Sequence, residues 1–134
     1  MITVRLLGGT GNQMFQYAMG LSQAQALDVE LQLDISCLGR HRCLAPLWGL
    51  TEALVSDVKP TVEEKGMPYN QDLDDFVKDG DCLNGYWQTE KYFEHIRAIL
   101  LKKFIPKPSD DSRFYEFHDQ ILHNENSVSL HVRL

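Results

Sequence analysis

The sequence predicts an α/β domain with a mostly parallel sheet and flanking helices. Three observations carry that expectation. An apolar, β-branched run at residues 2–7 ends in a glycine cluster. Apolar residues then recur at gaps of three or four as far as Leu27. A second strand-like run follows at 29–35. Strand, tight turn, helix and strand within ~35 residues form a βαβ unit, whose crossover is nearly always right-handed.

The elements follow in order. Ile2 to Leu7, broken only by Thr3 and Arg5, reads as a buried first strand. Met14, Tyr17, Ala18, Leu21, Ala24 and Leu27 form the apolar face of a helix, with Asn12 as its N-cap. Val29 to Ile35 is the second strand. Residues 37–50 mix Gly, Arg, His and Pro and predict a loop with one short turn. Leu54 to Val58 reads as a short strand. Thr61 to Glu64 has capping-box spacing, but Gly66 and Pro68 follow too soon for a long helix. One short helix fits 70–80, and Cys82 to Trp87 is another strand. Thr89 caps a helix running to about Phe104, with Lys102 and Lys103 in its last turn and Pro106 as its stop. A further helix spans about 110–123, with Phe114, Phe117, His118, Ile121 and Leu122 on one face. Ser127 to Arg133 alternates as a last strand. Helices between strands place the sheet in the parallel α/β class.

At 134 residues and 43% apolar content the chain is one domain, 1–134, able to bury a core. Thirteen basic against nineteen acidic residues give a net charge of −6. That balance argues against a nucleic-acid binder and against a polybasic membrane-surface protein. Three cysteines, Cys37, Cys43 and Cys82, are an odd number and point to reduced thiols in the cytoplasm. No apolar run is long enough for a transmembrane segment, and the N-terminus lacks the layout of a signal peptide.

Three motifs carry chemistry. Gly8-Gly9-Thr10-Gly11-Asn12-Gln13 lets the backbone turn sharply into a helix whose free N–H groups favour an anion. Only Gly9 and Gly11 of the dinucleotide fingerprint are present, because Met14 holds the third glycine's place. Asp34 lies near the position that would hold a ribose hydroxyl. A ligand-free tight turn explains the glycines equally well; the Asn12–Gln13 carboxamides favour a sugar or phosphate. The second motif is Ser127-Val128-Ser129-Leu130-His131-Val132-Arg133. His131 and Arg133 share one face of a strand at its carboxyl tip, where arginine suits phosphate; two solvated polar residues at a strand end are the plainer alternative. In the third, Gly85 to Phe93, aromatic residues flank a strand-to-helix junction. Trp87 and Tyr86 could stack on a sugar and Gln88 could bond its hydroxyls; in the plainer alternative the junction is packed and Trp87 and Phe93 are simply core, which is the reading favoured for Phe93. The D-x-D triplets within Asp72–Asp75 and Asp79–Asp81 read as a solvated acidic face. No metal site has zinc-like spacing.

Taken in order, these segments resemble the α-1,2-fucosyltransferases. Val4 to Ala18 resembles their N-terminal signature, Gly85 to Phe93 their central motif, and Ser127 to Arg133 the start of their His-x-Arg-Arg-x-Asp-Tyr motif. Leu33 to Ser36 and Gly39-Arg40-His41-Arg42 are also family-like. The resemblance implies the Rossmann-like N-terminal part of a GT-B glycosyltransferase. Leu134 stands where the motif's second arginine belongs, so the chain is expected to be truncated there, without the family's second domain. The implied reaction moves L-fucose from GDP-fucose to the 2-hydroxyl of a terminal galactoside, with inversion and without a metal or other cofactor. By match, Arg133 would contact the GDP phosphates and His131 would position them. Gly9, Gly11, Asn12 and Gln13 would line the cleft opposite. The implied partners are GDP-fucose and a galactoside acceptor glycan, with no nucleic acid; peripheral membrane association stays open. With one arginine and no second domain, the chain alone is expected to be weak or inactive. A small nucleotide-binding module and a non-catalytic remnant are the alternatives.

Overall fold

The structure, a computed structural model, describes residues 1–66, 69–73, 76–105, 112–130 and 132. Five parallel strands form one sheet: β1 (Ile2–Arg5), β2 (Leu31–Asp34), β3 (Ala53–Val55), β4 (Val62–Glu63) and β5 (Cys82–Asn84), in the order β3-β2-β1-β5-β4. This is the Rossmann-like α/β architecture. Strand β1 is central because its residues bury both faces: Ile2 and Val4 are wholly inaccessible and Thr3 nearly so, and Leu6 just beyond it is wholly inaccessible too. It pairs with β2 in register, Ile2 opposite Leu31 and Arg5 opposite Asp34, and with β5 through Thr3–Cys82 and Val4–Leu83.

Helix α1 (Thr10–Ala26) buries Tyr17, Ala18, Met19, Leu21 and Ala24. Its N-cap is Gly9, not Asn12, which lies inside the first turn. The chain leaves β1 through Gly8 at φ +68, a left-handed conformation that starts the helix three residues early. A four-residue turn, α2 (Ala45–Trp48), closes on a left-handed Gly49 and supplies the one turn expected in the 37–50 loop.

Three other expectations are corrected. Thr61 caps no helix: residues 62–63 are the edge strand β4, and Thr61 Oγ1 donates to Asp81 Oδ1 at 2.7 Å instead. The expected helix from Thr89 to Phe104 is broken. Thr89 does accept from the Lys91 amide, but two short 3₁₀ turns at 90–92 and 94–96 meet at Phe93, whose φ of −148° is not helical. Only Arg97–Lys103 is α-helix, here α3. Ser127–Leu130 and Val132 form no strand and are exposed. A strand needs a neighbour to hydrogen-bond, and no described strand pairs with them. The hydroxyl of Ser127 instead donates to the Ile121 and Asn124 carbonyls, at the end of α4 (Ser112–Leu122).

Aromatic contacts tie α1 to the α3 side. Phe15 meets Phe93 at 6.0 Å, and Tyr17 meets Phe104 edge-on at 5.5 Å. The Tyr17 hydroxyl donates to Glu52 Oε1 at 2.6 Å, and Lys103 Nζ reaches the same oxygen at 2.9 Å. Burial and that carboxylate push the Tyr17 phenol far above its ordinary range. Among the described residues, no helix is long and apolar enough to cross a membrane.

Candidate functional site

The order β3-β2-β1-β5-β4 reverses direction between β1 and β5. Outside the carboxyl ends of those two strands lies the crevice where open α/β sheets bind ligands. Two motifs meet there. From β1 come Gly8 to Gln13, and from β5 come Gly85 to Gln88. They are joined by one bond: Gln88 Nε2 donates to Asn12 Oδ1 at 2.8 Å, across 76 positions of sequence. Gln88 is exposed and Asn12 half-buried.

The β1 side is open. A Cβ at Gly9 or Gly11 would meet nothing within 4 Å. Helix α1 has no side-chain cap and no acidic residue in its first turn, so no side chain satisfies its leading N–H groups or opposes the positive end of its dipole. Gln13 is placed differently from the lining role its position suggested. It is fully buried, and Nε2 donates to the Gly8 and Arg42 carbonyls, both at 2.9 Å. Its Oε1 accepts from the Leu44 amide at 2.8 Å. Gln13 therefore holds the turn in shape and ties it to the 39–44 loop. Gln16, also buried, accepts from the Leu7 amide at 2.8 Å and fixes the strand's exit.

That tie brings in residues to which the sequence reading gave no role. Arg40 and Arg42 are exposed, and neither has an ion-pair partner among the described residues. The sequence signal for them is two arginines in a stretch, residues 35–51, that holds no Asp or Glu.

The β5 side is held from the sheet edge. Glu64, just past β4, accepts from the Tyr86 amide at 2.7 Å and from the Trp87 amide at 3.1 Å. Trp87 sits at φ +54, an uncommon conformation for a bulky residue. The carboxylate compensates that strain by pairing two consecutive N–H groups. Trp87 and Tyr92 are buried, Phe93 is half-buried against the core, and Tyr86 is exposed.

Asp34 is not offered to a ribose. It is wholly buried, bonded to Arg5 Nε at 3.0 Å and to the Ser36 amide at 2.9 Å. Burial pushes its carboxyl up, but the Ser36 and Arg5 bonds outweigh burial and hold it below the usual carboxylate range. Asp79 pairs with the N-terminal amine, and Asp81 accepts from Thr61 and the Lys78 amide. Asp74, Asp75, His131 and Arg133 lie outside the described residues. Among the described residues no three His, Cys, Asp or Glu side chains converge as a metal site, and all three cysteines are free.

Fold and site together define a parallel α/β unit with a glycine turn and a joined pair of polar side chains, Asn12 and Gln88, at its switch point. The chain is similar to an α-1,2-colitosyltransferase of Escherichia coli, 26% identical over 159 aligned residues that cover 98% of this chain. The chain spans about half the length of that curated relative, 53%. No family model and no solved structure matches it.

Proposed function

We propose that this chain carries the crevice of an α-1,2-glycosyltransferase that moves a deoxy sugar, L-fucose or a close analogue, from a GDP-sugar to the 2-hydroxyl of a terminal galactoside. The observation that carries the reading is the Gln88–Asn12 bond, which joins the two fucosyltransferase-like motifs across the switch point. The E. coli relative is named for the same α-1,2 linkage with a different sugar, so linkage is the common element and the donor sugar the variable one.

The chemistry is consistent with the residues. The leaving group is a nucleoside diphosphate, whose negative charge grows as the glycosidic bond breaks. The uncapped start of α1 offers N–H donors, and Arg40 and Arg42 carry positive charge in the loop that Gln13 ties to that turn through the Arg42 carbonyl. Arg133 is assigned to the diphosphate and His131 to its positioning. Gly9, Gly11 and Asn12 are assigned to the lining of the crevice, with Gln13 as the support behind them.

Donor turnover tests the reading. The protein is incubated with GDP-fucose, or with an activated colitose donor, and lactose. For this chain by itself, GDP release and α-1,2-linked product are expected to be weak, and both should be lost in Arg133→Ala. Failure to bind any GDP-sugar or lactose, read by ligand-observed NMR on folded protein, overturns it.

A further inference from the structure

Helix α4 is 11 residues long, and every residue from Arg113 to Leu122 is exposed. A lone helix of that length is marginal in water, because helices in proteins draw most of their stability from packing an apolar face. Such a face is present. Phe114, Phe117 and Ile121 recur at i, i+3 and i+7, with Leu122 beside them. All four are exposed, so the face calls for cover.

The same chain holds a groove of matching chemistry. It has a volume of about 260 Å³ and is lined by Met14 and Phe15 of α1, by Arg97 and Leu101 of α3, and by Phe93 and Phe104 to either side of α3. Leu101 is 56% exposed, and Met14, Phe15, Phe93 and Phe104 are half-buried, so apolar surface is left to cover. The volume falls below the roughly 300–1,000 Å³ of small-molecule sites. It suits the side-chain anchors that an amphipathic helix lays into a groove.

Charge points to which helix. Helix α1 has no charged residue, and α3 carries Arg97, Lys102 and Lys103 with no acid. Lys103 pairs with Glu52, whereas Arg97 and Lys102 have no ion-pair partner among the described residues. The stretch from Ser112 to Glu125 has the opposite balance, with Glu116, Asp119 and Glu125 against Arg113. Asp119, three positions before Leu122, flanks the apolar stripe. An apolar face with an acidic flank therefore matches an apolar groove with a basic one.

We infer that α4 of one copy docks in the α1–α3 groove of a second copy, and the second copy's α4 in the groove of the first, to form a two-fold dimer. Phe117 and Ile121 enter beside Leu101, and Asp119 meets Arg97. Within its own chain α4 is exposed along its length, so its apolar face is available to another copy. The exchange is reciprocal, and each dimer makes the contact twice. It needs neither nucleotide nor sugar, and it holds whatever the crevice binds.

The test is sedimentation equilibrium of the full chain over a concentration series. Dimers are expected. Leu101→Ser and Phe117→Ser, both at exposed positions that spare the fold, should each weaken them by at least about tenfold. Arg97→Glu alone and Asp119→Arg alone should do the same, because each sets like charges together. An equimolar mixture of those two charge variants should dimerise as tightly as the unmodified chain. In the mixed dimer the introduced glutamate of one copy meets the introduced arginine of the other, and the second contact is unaltered. An unmodified chain that stays monomeric, while circular dichroism shows it folded, overturns the inference. Self-association that survives Leu101→Ser also overturns it, as does a mixture that associates no better than its parts.

Discussion

Arg5 and Asp34 stand opposite each other in the register of two neighbouring parallel strands, and their side chains close a 3.0 Å bond at the carboxyl end of the sheet. Arg5 Nη2 also donates to the Val58 carbonyl, so one guanidinium ties β1 to β2 and to the segment after β3. The pair explains why an acidic residue at the end of the second strand serves structure rather than a ribose.

Asp34 titrates below the unfolded value of ~3.9. A depressed carboxylate contributes stability that is complete above the unfolded value and is lost as pH falls through the folded one. Urea unfolding from pH 7 to pH 3 should therefore show a steep acid loss. Asp34→Asn should be less stable by about 1–3 kcal/mol at pH 7 and show a flatter acid limb. An unchanged limb would remove Asp34 from the acid response.

Gly85 sits where an added Cβ would lie 2.4 Å from Glu64 Cβ. Gly85→Ala must displace the carboxylate that holds the Tyr86 and Trp87 amides. A loss of about 1–3 kcal/mol is expected in thermal unfolding. Combined with Glu64→Ala the cost should be less than additive, since both changes free the same amides. Strict additivity would show that the two residues act apart.

Gln88→Ala deletes a bond between side chains at the surface of the crevice. Stability should move by no more than ~0.5 kcal/mol. Turnover of the GDP-sugar should fall by roughly ten- to a hundredfold, the usual result of loosening one wall of a site. Full activity would show that the Asn12–Gln88 bridge is incidental.

Glu52 receives both Tyr17 and Lys103 on one oxygen. Burial raises its pKa, yet the two donors outweigh burial and hold it low. Lys103→Met leaves Tyr17 as the remaining donor, and a loss of ~1 kcal/mol is expected in denaturant melts. Glu52→Gln should cost at least as much, because both donors lose a charged acceptor.

Helix α4 presents Phe114 and Phe117 to solvent, 44% and 60% exposed. Phe117→Ser should change unfolding stability by less than ~0.5 kcal/mol, whereas a core phenylalanine would cost several. Gel filtration should show less self-association in the variant, since an exposed apolar face has been removed.

Much of this was legible in the sequence because it depends on local spacing. The stripe from Met14 to Leu27 can be one thing only, and the glycine turn marks where the strand stops. The parallel sheet follows from that unit. The features that escaped depend on distant partners. Two residues suffice for β4, too few for any periodicity to show, and it exists only because β5 lies beside it. Glu64 reads as a surface acid until the fold brings the Tyr86 amide to it. Phe93 fits a helical stripe, yet it packs against Phe15 with a backbone that is not helical. Gln13 looks like a ligand donor in the motif because nothing local reveals that Arg42 and Leu44 will occupy it.

The carboxylate of Glu64 also gives the crevice a remote dependency. The loop ending in Gln88 takes its shape from a two-residue strand at the rim of the sheet, and Gln88 passes that shape to Asn12. A chain of hydrogen bonds thus runs from that rim to the mouth of α1. The sheet's border therefore sets the shape of one wall of the crevice, and Gly85 is the point where a side chain would break that link.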